Sequence, residues 1–326
     1  MVDRKLWLAP TLISALLLAA SSQTLRDCGC ATFDWAQRPV AEEPVSHGGI
    51  DVSEPLVCQH DPESQAETFD DRQIMLGLDR RATQLIEDES FTPMDELRAQ
   101  LASEGRQALD LPAARDTPMS ASELFVSRAD SVLIVGHVYD CGRCDGWHVG
   151  PSSGVVLSPD GIGATNYHVL DQENAKTLVA GTRDGDLYPI REVLVASKAD
   201  DLAIFRFEAA GLTAAPLRAD SPIGTPAWVI SHPSRRFYTF TDGMVSRYYQ
   251  ARRDGQVVPI LTITADYARG SSGGPVFDEA GNVIGLVSRT ESLYYSVEDR
   301  IQRNLQMVFK QCVPARSLLV RLAPDS

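Results

Sequence analysis

DYARGSSGGPVFDEAGNVIGLVS (residues 266–288) sets two adjacent serines and three glycines ahead of a proline, then runs into an apolar strand. Paired glycines behind a serine weaken a strand, so the first half of this stretch is poor strand material. A tight loop that brings backbone N–H groups and a hydroxyl to one point fits better. Its meaning depends on what the rest of the chain supplies to activate a hydroxyl.

The 326 residues are 44% hydrophobic and 23% charged, enough for one sizeable globular domain plus an extension. Of the net charge of −14, −11 falls in residues 1–120. That acidity argues against nucleic acid or anionic membrane surfaces as partners. The chain begins MVDRK, continues LWLAPTLISALLLAA and then SSQ. A short basic start, an apolar run too short for a membrane span and small residues after it predict a signal peptide over residues 1–22. Cleavage near Ser21 or Ser22 would leave an exported, periplasmic or secreted chain with no stable membrane span; an uncleaved anchor is the other reading.

Residues 23–120 read as an acidic accessory or pro-region, with residues 40–70 extended or poorly ordered. Thr92-Pro93 followed by Asp95 and Glu96 predicts a helix start, and Ser120-x-x-Glu123 a capping box. A weaker periodic stretch over 73–87 predicts a third helix. From Ser131 short β-rich runs follow one another, at 131–139, 154–158, 161–166, 188–195, 202–207, 226–231, 236–247, 257–265, 274–278, 282–288 and 305–310. Turns such as Ser158-Pro159-Asp160-Gly161 separate them. Many short strands with regular turns mean a sandwich or barrels rather than a βαβ sheet. Pro314 opens a final short helix, ARSLLVRL. No internal repeat is visible.

Six cysteines, Cys28, Cys30, Cys58, Cys141, Cys144 and Cys312, suit disulfides in an exported chain. With three before residue 60 and three after residue 140, complete pairing needs at least one bond between the accessory region and the rest. The pairs Cys28/Cys30 and Cys141/Cys144, with His148 nearby, could instead hold a metal.

A serine nucleophile needs a base, and the base needs an acid behind it. Of six histidines, His168 stands in a telling place, at the end of a strand in GATNYHV. His47, His60, His137, His148 and His232 have no such partners in sequence. Lys198-Ala199-Asp200-Asp201-Leu202 sets an acid at the mouth of another strand. The order His, Asp, Ser on an all-β chain is that of chymotrypsin-type proteases. TNYHV (165–169), DDLAIFRFE (200–208) and GSSGGPVF (270–277) resemble the three catalytic blocks of trypsin-like serine proteases, specifically the bacterial HtrA/Deg-like branch.

The resemblance covers residues 120–322. It implies a mainly β fold of two six-stranded antiparallel β-barrels with a C-terminal helix, preceded by a partly helical extension. The protease domain would span 121–326. The resemblance implies Ser272 as nucleophile, His168 as general base and Asp201, rather than Asp200, as orienting acid. The Gly270 and Ser272 amides would form the oxyanion hole, and Asp266 and Ser288 would touch substrate. Asp266 stands six residues before Ser272, where trypsin carries the acid that selects basic side chains; holding the loop is the other role open to it. Small or medium apolar side chains are the favoured preference.

No cofactor and no metal are implied; protein or peptide substrates are. No PDZ module is expected after the final helix. The family's usual Asn before the nucleophile is Ser271 here, which cannot form the zymogen-type ion pair with a new N-terminus. The other readings are a latent binding protein on a protease scaffold and a metal or redox module at Cys141 and Cys144.

Overall fold

The computed structural model describes residues 67–102, 105–298 and 301–323. The signal-peptide segment, residues 40–66, and Cys28, Cys30 and Cys58 lie outside them. Three helices come first: α1 (Asp71–Glu87), α2 (Met94–Leu101) and α3 (Ala121–Arg128). Strands β1 (Val132–Asp140), β2 (Trp147–Ser158) and β3 (Ile162–Thr165) lead to a single helical turn, α4 (Tyr167–Leu170). Next come β4 (Thr177–Gly181), β5 (Leu187–Ser197) and β6 (Leu202–Phe207). The second half contains β7 (Pro226–Ser231), β8 (Thr239–Arg253), β9 (Gln256–Ile263), β10 (Pro275–Phe277), β11 (Val283–Glu298) and β12 (Ile301–Pro314), and then α5 (Ala315–Leu322). Among the described residues no helix is long and apolar enough to cross a membrane.

The strands close into two antiparallel six-stranded barrels, the arrangement the resemblance implies. The first has the order β1-β2-β3-β6-β5-β4, and the second repeats it as β7-β8-β9-β12-β11-β10. The two halves thus share a topology that no sequence repeat announces. What they share is a burial pattern, which many apolar residues satisfy equally well.

In β1, Leu133 and Val135 point into the first barrel among Val156, Leu178, Ile190, Phe205 and Phe207. The alternate residues Val132, Ile134 and Val138 are also buried, because Ile74, Leu78 and Ala82 of α1 lie over that outer face. A strand covered on both faces reads as a continuous apolar run rather than an alternation. The second barrel closes around Val229, Val245, Leu261, Ile263, Val276, Ile284 and Val287.

Two of the three helix signals act as read, at α1 and α3. Ser120 and Glu123 form a reciprocal capping box at α3, and the periodic stretch at 73–87 is α1, whose cap Asp70 accepts from the Gln73 amide. At α2 the cap position is Pro93, with no side-chain cap bond. Thr92 instead bonds outward: its carbonyl accepts from Thr177 Oγ1 at 2.7 Å. Met94, Leu97 and Leu101 of α2 join the core around Val193 and Phe205. Over α1 and α2 the residues before the barrels are therefore packed against the first barrel.

Several strand expectations differ from the structure: β2 begins at Trp147 rather than 154 and β8 runs on to Arg253 rather than 247. β4 is missing from the sequence reading; TLVAG is short and buried at all five positions, so it shows no alternation. β11 and β12 run on past 288 and start before 305, pairing Tyr294 with Leu305 and Glu298 with Ile301. This outer ribbon is largely solvent-exposed, with Tyr295 78% and Leu305 54% accessible. Cross-strand backbone bonds hold it, and those leave no mark on side-chain pattern.

Candidate active site

His168 sits in α4, immediately after β3, and Asp201 at the entrance of β6, so the pairing of β3 with β6 sets their separation. His168 Nδ1 lies 2.8 Å from Asp201 Oδ1 and 3.0 Å from Oδ2, and the His168 amide donates to Oδ1 at 3.2 Å. Asp201 adopts φ +59°, a left-handed conformation that is costly outside glycine and clusters at functional sites. Asn166 Nδ2 holds the Asp201 carbonyl at 3.0 Å. The Asp201 carboxylate is 7% exposed, the imidazole 49%. With a proton on Nδ1 donated to the carboxylate, the lone pair of Nε2 faces the open side.

Asp200, the alternative acid, turns away. It accepts from Ser197 Oγ at 2.9 Å and pairs with Arg321 of α5, so it anchors the last helix.

The loop quoted at the outset is the turn its composition suggests. Gly270 has φ +95°, and a Cβ there would stand 2.5 Å from the His232 carbonyl oxygen. Gly273 has φ +81°, and a Cβ would meet Thr165 Oγ1 at 2.0 Å. Glycine is therefore required at both, by backbone conformation and by space. Between them the two serines separate clearly. Ser271 is buried, its Oγ accepting from Ser231 Oγ at 2.9 Å. Ser272 is half-buried and its Oγ donates to the Ser288 carbonyl at 3.3 Å.

Ser288 Oγ in turn donates to Asp201 Oδ2 at 2.7 Å. Ser288 thus meets Ser272 through its carbonyl and Asp201 through its hydroxyl, and so joins Ser272 to the Asp201–His168 pair. Ser272 Oγ makes no direct hydrogen bond to His168 in this structure; such bonds tighten with substrate, and rotation about one side-chain torsion redirects the hydroxyl.

The backbone around Ser272 is held from both barrels. Ser272 O accepts from the Ser153 amide at 3.0 Å and from Ser152 Oγ at 2.9 Å. Ser153 Oγ donates to Gly270 O at 2.9 Å and accepts from the His232 amide at 3.0 Å. Arg269 O accepts from the Ser234 amide at 2.6 Å. In a planar trans peptide the N–H points opposite to the C=O, so the Gly270 N–H faces away from Ser234. Ser271 O accepts from Gly274 N at 2.9 Å, which turns the Ser272 N–H the other way in the same manner. Neither amide has a protein acceptor among the described residues.

His232 is fully buried. Burial pushes its pKa down to about 3, opposed by its bond to the Leu133 carbonyl. Nε2 donates to that carbonyl at 3.2 Å and Nδ1 accepts from the Tyr238 amide at 3.1 Å. The sequence reading set His232 aside; the His-Pro pair opening the loop after β7 was the available signal. Ser152, Ser153 and Asn166 were missed too, as ordinary polar residues with nothing local to mark them.

A cavity of about 620 Å³ adjoins His168 and Asp201, with Lys198, Arg253, Asp254 and Ser288 in its wall. Asp266 is not brought to this cluster. Its carboxylate is 87% exposed and pairs with Lys310 Nζ at 3.2 Å, while its carbonyl accepts from Thr241 Oγ1. Cys141, Cys144 and Cys312 are free thiols, so no disulfide joins the described residues. Burial pushes the Cys312 thiol up to about 12, which leaves it inert. The expected cross-link to the accessory region involves Cys28, Cys30 or Cys58, outside the described residues.

Residues 152–286 match the trypsin-like peptidase domain family. A protein of Pseudomonas savastanoi pv. phaseolicola named "Probable periplasmic serine endoprotease DegP-like" is 30% identical over 140 residues, 42% of this chain and 28% of that one. A protein of the same name from Brucella suis biovar 1 is 31% identical over 142 residues, 42% of this chain and 27% of the relative. The chain thus spans under a third of the length of these curated relatives. A solved structure of the HtrA-type protease AlgW with a decapeptide aligns with TM-score 0.48 at 19% identity, over 62% of this chain and 65% of that one. The match to the trypsin-like peptidase domain family thus falls within a chain whose strands close into two six-stranded barrels. Both of these relatives carry DegP-like names.

Proposed function

We propose that this chain is an exported serine endopeptidase that cleaves protein or peptide substrates through an acyl-enzyme. The observation that carries the reading is the buried Asp201 carboxylate bonded to His168 Nδ1, linked through Ser288 to Ser272. Ser272 Oγ attacks the scissile carbonyl carbon as its proton passes to His168 Nε2. Asp201 keeps the imidazole in the right tautomer and stabilises the imidazolium. The carbonyl oxygen, now negative, takes hydrogen bonds from the Gly270 and Ser272 amides. Collapse expels the amine, protonated by His168, and leaves the acyl group on Ser272. Water, deprotonated by His168, then releases the acid and restores the hydroxyl.

The exposed pairing of Asp266 with Lys310 favours small or medium apolar preference over basic, because the carboxylate already has a counter-ion. A leader of basic, apolar and small residues supports export, as do relatives whose names carry the word periplasmic. A fluorophosphonate probe tests the reading. It should label the parent chain on Ser272 alone and leave Ser272→Ala untouched, and a peptide library should be cleaved only by the parent. An unlabelled parent that cleaves nothing sinks the proposal and leaves the latent-scaffold alternative.

A further inference from the structure

The connection between β1 and β2, residues 141–146, reads CGRCDG. Asp140 Oδ1 accepts from the Gly142 amide at 2.7 Å, and Gly142 has φ +66°, so the chain folds back on itself immediately after Cys141. Cys141 Sγ and Cys144 Sγ come within 3.4 Å, and Cys144 Sγ lies 3.1 Å from His148 Nε2 at the start of β2. All three donor atoms lie within 4.8 Å of one another.

The distances discriminate between two fates for such a triangle. A disulfide needs sulfurs about 2.05 Å apart, so these would have to close by more than 1 Å, roughly, and would leave His148 with no role. A tetrahedral zinc with bonds of about 2.3 Å to sulfur and 2.0–2.1 Å to nitrogen has edges of about 3.8 Å between sulfurs and about 3.6 Å from sulfur to nitrogen. The two short edges, 3.4 Å between sulfurs and 3.1 Å from Cys144 Sγ to His148 Nε2, fall within about half an ångström of those, a smaller adjustment.

A second observation, on a different element, points the same way. His148 Nδ1 donates to Asp79 Oδ2 of α1 at 2.9 Å, and Asp79 Oδ1 accepts from the Val149 amide at 2.8 Å. Both oxygens of that carboxylate are thus committed to the first residues of β2. Its bond to Nδ1 fixes the tautomer so that the lone pair of Nε2 points at the sulfurs. A carboxylate behind a ligand histidine is the usual support of a metal site, orienting the ring and raising its basicity. Thr83 Oγ1, one turn further along α1, accepts from the Trp147 amide at 3.0 Å and steadies the same strand end.

We infer that Cys141, Cys144 and His148 form a zinc site, with Asp79 as its positioning residue and the fourth position open to water or an added ligand. Two thiols lose their protons to solvent on binding, and the two thiolates neutralise the dication. Cys144 is exposed and the other two are partly so, which leaves the fourth position accessible. The bound ion would tie the β1–β2 connection to α1 through Asp79. β2 continues from His148 to Ser152 and Ser153, which brace the Ser272 carbonyl, so the site and the candidate catalytic loop share one strand.

The test uses the full chain, kept reduced and loaded with zinc or cobalt alone. Elemental analysis should give one zinc per chain, and the cobalt form should show thiolate-to-cobalt charge transfer and the ligand-field bands of a tetrahedral site. Cys141→Ser and Cys144→Ser should each abolish that spectrum, while Cys312→Ser and a triple Cys28→Ser, Cys30→Ser, Cys58→Ser variant should keep it. Asp79→Asn should weaken affinity by about 10- to 100-fold with the same spectrum. A reduced chain that takes up no cobalt overturns the inference, as does a spectrum that survives both Cys141→Ser and Cys144→Ser or vanishes in the triple variant. Circular dichroism of each variant separates loss of the site from loss of the fold.

Discussion

Ser153→Ala should damage the active site from a distance, and by an amount that can be worked out. The Ser153 hydroxyl is fully buried, donates to Gly270 O and accepts from the His232 amide. Alanine removes both bonds while leaving the backbone bond from Ser153 N to Ser272 O in place. The His232 N–H is then buried without a partner, at about 1–3 kcal/mol, and the lost bond to the half-exposed Gly270 carbonyl adds about 1 kcal/mol. A total near 2–4 kcal/mol leaves the domain folded and lowers Tm by roughly 5–15 °C at 2–4 °C per kcal/mol. The second effect is catalytic. Gly270 O belongs to the peptide that follows the one carrying the Gly270 N–H, so this bond holds the candidate donor through its neighbouring peptide, and an oxyanion donor lost outright costs about 100- to 1,000-fold. A donor merely loosened should lower kcat by about 10- to 100-fold with KM little changed, because the oxyanion exists only on the way to the acyl-enzyme. Steady-state cleavage of a peptide substrate, beside a thermal melt, reads both. A variant that melts early but keeps kcat within twofold would refute the link from Ser153 to the oxyanion loop. A variant that changes neither would refute the hydrogen bonds themselves.

Ser272→Ala should abolish hydrolysis with the fold intact, and His168→Ala should be nearly as severe because triad members act as a unit; cleavage assays of folded variants decide it. Ser288→Ala removes one of the bonds to Asp201 Oδ2 and should lower kcat by about tenfold or less, measured against an unchanged melt. Asp266→Ser should leave the ratio of activity on basic and aliphatic peptides unchanged, since the carboxylate is exposed and pairs with Lys310; a selective loss on basic peptides would restore it as a pocket residue. His232, held near 3 when folded and near 6.5 when unfolded, makes the unfolded chain the stronger proton binder between those values. Stability should therefore be full above pH 6.5 and fall as pH drops towards 3, by about 2 kcal/mol at pH 5. Denaturant titrations should show that slope reduced in His232→Gln, and an equal slope in both proteins would assign the acid sensitivity elsewhere.

The parts legible in sequence are those where chemistry restricts the residue type. Gly270 and Gly273 are forced by positive φ and by close approach, so the loop around Ser272 is written in its composition. The Ser120–Glu123 box is legible for a similar reason, since two orphan amides admit few side-chain solutions. β4 and the outer ribbon of β11 and β12 were not, because a fully buried five-residue strand and a solvent-facing ribbon both lack the alternation that marks a half-buried strand. His232 was discarded for want of a partner nearby in the chain. Its partners are Leu133, Ser153 and Tyr238, and two of those three lie about eighty or more residues away.

That distance says something about how the site is built. In the proposed mechanism the first barrel supplies His168 and Asp201 and the second supplies Ser272, so neither half would act alone. Val155 and Ile204 of the first barrel share an apolar cluster with Ile230, Phe277 and Leu286 of the second, and around the site a few polar contacts also cross. Ser152 and Ser153 of β2 hold the Ser272 and Gly270 carbonyls, Ser288 of β11 holds Asp201, and His232 reaches from the loop after β7 to Leu133 of β1. All are small hydroxyls or a neutral imidazole, and those near Ser272 meet backbone or carboxylate rather than other long side chains. Short groups with few torsions hold a geometry at little entropic cost, whereas long charged pairs would surrender more freedom for the same alignment. Catalysis tolerates misplacement of only about 1 Å before rates fall steeply, so in the proposed mechanism the alignment of His168, Asp201 and Ser272 depends on these crossings. It follows that substitutions at Ser152, Ser153, Ser288 and His232 should shift kcat more than KM, whereas substitutions deep in one barrel, such as Phe205 or Ile263, should shift stability first.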